Sequence, residues 1–174
     1  KSYLKRNIVK TIRLISPKEK VTANIMELSS NEMLKGRTAL ITGGTSGIGY
    51  EMAKAFVKAG ASVIITGRSK EKTSLAAERL EKELSVSNRV YPLTMDNTKV
   101  SEFENKFKEA VNMTASKQID ILVNNAGLVG GEISTCTEEQ YDAIVDTNLK
   151  GTFFLSQHVA RYFVANKIKG NILN

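Results

Sequence analysis

Two hydrophobic rhythms alternate along most of the chain. Short, nearly continuous apolar runs occur at Thr38 to Thr42, Ser62 to Thr66, Arg89 to Thr94 and Ile119 to Val123. Their length and continuity predict strands buried on both faces. Between them, apolar residues recur three and four apart, the period of an amphipathic helix. These stretches run from about Ile48 to Lys58, with Met52, Ala55, Phe56 and Ala59 on one face, from Lys70 to Leu84, and from Lys99 to Ala115. A further helix opens at Thr137-Glu138-Glu139-Gln140, where Thr is placed to cap and Gln to close a capping box, and its apolar positions continue through Phe153 and Val159. Gly60 is placed to end the first helix. Gly170 to Asn174 reads as the start of a fifth strand that stops while under way. Strand and helix in strict alternation predict right-handed crossovers and a doubly wound parallel α/β sheet.

The first 31 residues follow a different pattern. Leu4, Ile8, Ile12 and Ile15 recur at helical spacing among basic side chains, and Ser16-Pro17-Lys18-Glu19 has the form of a second helix start. Three readings of the basic helix compete: packing on protein, contact with an anionic membrane surface through residues 1–15, or targeting. Ser29-Ser30-Asn31 is the expected boundary, which divides the chain into an extension, 1–31, and a main domain, 32–174.

The chain has 174 residues, 41% hydrophobic and 25% charged, which is ordinary for a globular domain. Its net charge of +7 changes the picture only once it is located. Seven basic residues and one acidic residue lie in the first 20 positions, so the remainder is nearly neutral. A neutral body argues against nucleic acid as partner. The single cysteine, Cys136, excludes an internal disulfide, fits a cytoplasmic location, and reads as a bystander.

The candidate chemistry begins at Thr42-Gly43-Gly44-Thr45-Ser46-Gly47-Ile48-Gly49, between the first strand and its helix. Gly43 is placed to leave the strand with positive φ, Gly47 to let a phosphate approach the backbone, and Gly49 to bring helix and sheet together. Ligands of such sheets bind beyond the carboxyl ends of the strands. That rule brings the glycine turn, Arg68, Asp96 and Asn124 to Gly127 to one edge, with four loops around one cleft.

The glycine turn, Asp96, Asn124-Asn125-Ala126-Gly127 and Asn148 in Asn-Leu-Lys-Gly together resemble the short-chain dehydrogenase/reductase family, over about Leu34 to Asn174. The resemblance implies a Rossmann-type fold, truncated in its fifth strand, and an oxidoreductase similar to carbonyl or 3-oxoacyl-thioester reductases. It implies that the turn residues Gly43, Thr45, Ser46, Gly47, Ile48 and Gly49 hold a cofactor pyrophosphate. Asp96 and the backbone of Asn97 would meet the adenine, Asn124 would brace the central strands, and Ala126 and Gly127 would line the ribose side. Asn148 would open its helix locally and hold a water in a proton relay. The family's catalytic Ser and Tyr-x-x-x-Lys are expected beyond Asn174, and Tyr50, Tyr91, Tyr141 and Tyr162 are read as having no Lys four residues later. The lone His158 is read as helix surface or interface.

Cofactor choice follows from charge. A 2′-hydroxyl needs an acidic acceptor at the end of the second strand, whereas a 2′-phosphate needs a cation. Gly67 stands at the acidic position, and Arg68 and Ser69 follow. A guanidinium makes forked contacts with phosphate, which favours NADP(H) over NAD(H), the alternative being a merely solvated turn arginine. Two functional readings remain. One is an NADP(H)-dependent oxidoreductase acting on a small carbonyl or alcohol, homo-oligomeric when intact, with these residues inactive alone. The other is a non-catalytic dinucleotide-binding or interaction module. The run Thr152-Phe153-Phe154-Leu155 suits either a subunit interface or core packing.

Overall fold

The computed structural model describes residues 32–130 and 132–174, so the basic extension and its boundary at Ser29 to Asn31 lie outside the described residues. Five strands form one parallel sheet in the order β3-β2-β1-β4-β5. They are β1 (Thr38–Ile41), β2 (Ser62–Gly67), β3 (Val90–Thr94), β4 (Ile121–Val123) and β5 (Asn171–Leu173). The helices are α1 (Gly47–Lys58), α2 (Lys70–Leu84), α3 (Phe103–Met113), α4 (Glu138–Val145) and α5 (Thr152–Ala165). A short 3₁₀ turn, Val100–Glu102, leads into α3, so the predicted long helix there begins as a tighter turn.

Alternation along the strands divides the core into two layers. Ala39, Ile41, Val63, Ile65, Ile121 and Val123 face Tyr50, Ala53 and Val57 of α1 and Ala76, Ala77 and Leu80 of α2. Leu40, Ile64 and Leu122 face the opposite way, toward Phe103 and Phe107 of α3 and Leu155, Val159 and Phe163 of α5. The period of two explains this division, because Ala39 pairs with Val63 and Ile41 with Ile65 while Leu40 pairs with Ile64 between them. Pro92 is tolerated because β3 lies at the sheet edge.

Helix α1 is rotated from the predicted face. It buries Gly49, Tyr50, Ala53 and Val57, while Ala55 is exposed and Met52 and Phe56 are only partly buried. The glycine turn sets this rotation. A Cβ on Gly49 would collide with Asn125 Nδ2 and sit against the Gly43 carbonyl, so position 49 must face inward and 53 and 57 follow it.

From β1 the chain winds outward through β2 to β3, then returns to place β4 on the other side of β1. That reversal creates a crevice at the carboxyl ends of β1 and β4. At the opposite edge, the buried Asp120 accepts hydrogen bonds from Thr38 N at 2.8 Å and Gln118 Nε2 at 2.6 Å and pairs with Arg37 at 3.3 Å, which fixes the entries of β1 and β4.

Candidate functional site

The site starts with Thr42, fully buried at the end of β1. Its Oγ1 accepts from the backbone N–H of Asn125 at 3.0 Å and of Ala126 at 2.9 Å. The Asn125 side chain returns the tie, its Nδ2 donating to the carbonyls of Thr42 and Gly43 at 3.0 and 3.2 Å. The turn after β1 and the loop after β4 are thus one hydrogen-bonded unit across the crevice. Gly43 has φ +66°, and a Cβ there would lie 2.9 Å from Ala126 Cα, so only glycine lets the two loops meet this closely.

The crevice has a volume of about 420 Å³. Nine of the expected site residues line it: Gly43, Thr45, Ser46, Ile48, Arg68, Asp96, Asn97, Ala126 and Gly127. Gly47, Gly49, Ser69, Asn124 and Asn148 do not line it directly. Gly47, at φ +56°, has open space where a Cβ would sit, and Gly49 is turned into the helix contact described above. Ser69 caps α2, its hydroxyl accepting from Lys72 N at 3.3 Å. Asn124 Nδ2 donates to Ser156 Oγ at 2.8 Å and Asn174 Oδ1 at 2.7 Å, joining β4 to α5 and the end of β5.

At the β2 end, Arg68 is exposed on the rim and forms no salt bridge among the described residues. Asp96, after β3, spends one carboxylate oxygen on Thr98 N and Thr98 Oγ1, both at 2.9 Å, and has the other to offer. Asn97 is 5% exposed, and its Nδ2 is buried without a partner. Its carbonyl packs so tightly on Gly151 that a Cβ there would collide with it.

Gly151 closes a π-helical segment, Asp146–Gly151, set between α4 and α5. The helix, expected to open locally at Asn148, widens there by one residue per turn, and π turns of this kind recur at functional sites. Asn148 turns its carboxamide to the loop after β4, accepting from Leu128 N at 2.8 Å and donating to Leu128 O at 2.9 Å.

Thr66, Met95 and Thr147, which sequence reasoning did not name, also line the crevice, together with Gly67, Asn125 and Leu128 from segments it placed there. Strand ends carried a signal for Thr66, Gly67 and Met95, but nothing in a single sequence shows that Asn125 rather than Asn124 locks the glycine turn. The tyrosines need one correction. Tyr50 does have Lys54 four residues later, yet Tyr50 is 3% exposed with its hydroxyl accepting from Arg79 Nε at 2.7 Å, and Lys54 pairs with Glu83 at 2.8 Å. Neither lines the crevice, so the spacing serves to join α1 to α2. His158 is half-buried, edge-on to Phe107 with ring centroids 5.1 Å apart, and burial holds its pKa below the usual histidine value. In the Phe run, Leu155 enters the core while Phe153 and Phe154 are 57% and 38% exposed, so core packing accounts for Leu155 alone.

Comparison with known proteins agrees with this geometry. The sequence model of the short chain dehydrogenases matches residues 37–174. A probable NADP-dependent mannitol dehydrogenase of Yarrowia lipolytica is 36% identical over 156 residues, covering 86% of this chain and 52% of the relative. Among solved structures, a short chain dehydrogenase of Bacillus anthracis superposes with a TM-score of 0.72 at 33% identity, covering 80% of this chain and 54% of that one. A gluconate 5-dehydrogenase of Burkholderia cenocepacia in complex with NADP and tartrate gives 0.70 at 31% identity, covering 82% and 54%. A 3-ketoacyl-(acyl-carrier-protein) reductase of Brucella melitensis complexed with NADH gives 0.68 at 30%, covering 76% and 52%. The chain belongs to the short-chain dehydrogenase family of oxidoreductases, and it spans about half the length of the relatives it matches.

Proposed function

We propose that the crevice binds NADP(H), and that the protein is an oxidoreductase exchanging hydride between the nicotinamide and a small carbonyl or alcohol substrate. The observation that carries this reading is the end of β2, where Gly67 and the exposed Arg68 line the crevice. The one carboxylate lining it among the described residues, Asp96, stands at β3 instead. A 2′-phosphate would meet a forked cation there without repulsion. Thr45, Ser46 and Ile48 line the crevice at the start of α1, where free backbone amides favour an anion.

The remaining roles are those that membership of the family implies. The amides around Thr45, Ser46, Ile48 and Gly49 hold the pyrophosphate, and Ser69 adds a hydroxyl beside Arg68. The free oxygen of Asp96 accepts from the adenine amino group, with the Asn97 backbone beside it. Ala126 and Gly127 line the ribose side, and Asn124 braces β4 against its neighbours. The bound dinucleotide supplies the hydride chemistry. Asn148 is neutral and can position a proton donor or a water but cannot itself be the acid that protonates a forming alkoxide.

A second reading, a dinucleotide-binding module without catalysis, has one observation in its favour: no Tyr, His, Lys or Cys lines the crevice among the described residues. Self-association through the exposed faces of Leu149, Phe153 and Phe154 suits either reading. The test of the shared claim is a fluorescence titration of the purified chain with NADPH. Saturable binding that free 2′,5′-ADP displaces is expected. Absence of binding at millimolar nucleotide would overturn it.

A further inference from the structure

Gly67 occupies the position from which a carboxylate would meet a 2′-hydroxyl. The space its side chain would need is already filled. A Cβ on Gly67 would lie 2.7 Å from Thr73 Oγ1 and 2.8 Å from Thr45 Cγ2, against the roughly 3.5–4.0 Å of comfortable carbon contacts.

Neither threonine yields easily. Thr73 is fully buried in the first turn of α2, and its Oγ1 donates to Ser69 O at 2.7 Å. Rotating it away breaks that bond and exchanges the hydroxyl for a methyl group in the same crowded space. Thr45 is partly buried in the glycine turn, and its branched Cβ restricts the rotamers open to it. The two side chains come from different crossovers and both crowd the place a Gly67 Cβ would take.

We propose that Thr45 and Thr73 are specificity-determining residues, acting by holding the β2 end bare. They exclude an acidic side chain at position 67 and leave Arg68 alone to face the 2′ substituent. Cofactor choice is then set by packing as well as by charge, and replacing Gly67 with an acid does not by itself convert the site. This inference rests on the NADP(H) reading above.

The experiment compares four forms of the chain: wild type, Gly67→Asp, Thr45→Ala/Thr73→Ala, and the triple variant. Melting temperature and the Kd values for NADPH and NADH are measured for each. Because Thr45 also lines the crevice, the triple variant is judged against Thr45→Ala/Thr73→Ala and not against wild type. Gly67→Asp alone is expected to lower the melting temperature and weaken both dinucleotides. The triple variant is expected to melt near its own background and to bind NADH at least tenfold more tightly than that background does.

Gly67→Ala adds only the methyl group and keeps the steric question open to measurement if the aspartate variant fails to fold. Its melting temperature should fall in wild type and not in the double-alanine background. The proposal is overturned if Gly67→Asp alone melts with wild type and gains NADH, or if removing both threonines leaves the cost of Gly67→Ala unchanged. A wild-type chain that shows no preference for NADPH instead removes the underlying reading, and the proposal with it. That result is read before any substitution is made.

Discussion

Asn148 holds the peptide of Leu128 by both of its polar groups, accepting from the N–H at 2.8 Å and donating to the carbonyl at 2.9 Å. The π-helical segment is thereby fastened to the floor of the crevice, 20 residues away in sequence. Asn148→Ala removes both bonds and is expected to cost about 1–2 kcal/mol, since each is partly replaced by water. Urea denaturation measures the loss, and faster exchange of the Leu128 amide hydrogen localises it. Asn148→Asp keeps the acceptor for Leu128 N but sets a carboxylate oxygen against the Leu128 carbonyl, so it should recover only part of the loss.

Thr42 is the hub of the same unit. Thr42→Val preserves its shape and removes Oγ1, leaving the N–H groups of Asn125 and Ala126 without their acceptor. Both donors are only part-buried, so each costs about 1 kcal/mol and roughly 2 kcal/mol is expected in all. A shift of the denaturation midpoint without a change in slope would show that the folded state alone is affected.

The glycines of the turn should separate into two kinds. Gly43→Ala forces a side chain into positive φ and against the backbone of Ala126, and is expected to destabilise the fold by about 1–3 kcal/mol and to abolish NADPH binding. Gly47→Ala meets open space and carries only the conformational cost of about 1–2 kcal/mol. It should still fold, yet weaken NADPH by crowding the phosphate approach. Thermal melts and a nucleotide titration of the two variants make the comparison.

His158 gives the fold a pH dependence of definite sign. Burial lowers its pKa, an effect reinforced by Arg161 and Lys108 and opposed by Glu104. The folded state therefore prefers the neutral ring, and the unfolded chain binds more protons as pH falls below the ordinary value of 6.5. The contribution of His158 is present above that pH and lost below it. His158→Phe should lose less stability than wild type between about pH 7 and pH 5.5, measured by denaturation at each pH.

Much of the fold was legible because it depends on local periodicity. The α2 boundaries, the Thr137–Gln140 capping box and the parallel order of strand and helix all follow from spacing along the chain. The buried face of α1 was not legible, because its rotation is decided by Asn125, more than 70 residues away, pressing on Gly49. The strand ends named Arg68 and Asp96, since topology puts them on one edge. Thr147 gave no such signal, because it is the π widening around Asn148 and the packing of Gly151 on Asn97 that bring it there.

The most direct test of the account is the ratio of Kd for NADH to Kd for NADPH, measured by calorimetry on wild type and on Arg68→Ala. A charge-assisted fork to phosphate is worth about 1.5–3 kcal/mol, so wild type should prefer NADPH by roughly ten- to a hundredfold. Arg68→Ala should lose most of that preference while binding NADH about as before. Equal affinity for the two dinucleotides in wild type, or a preference that survives the loss of Arg68, would contradict the assignment of the crevice.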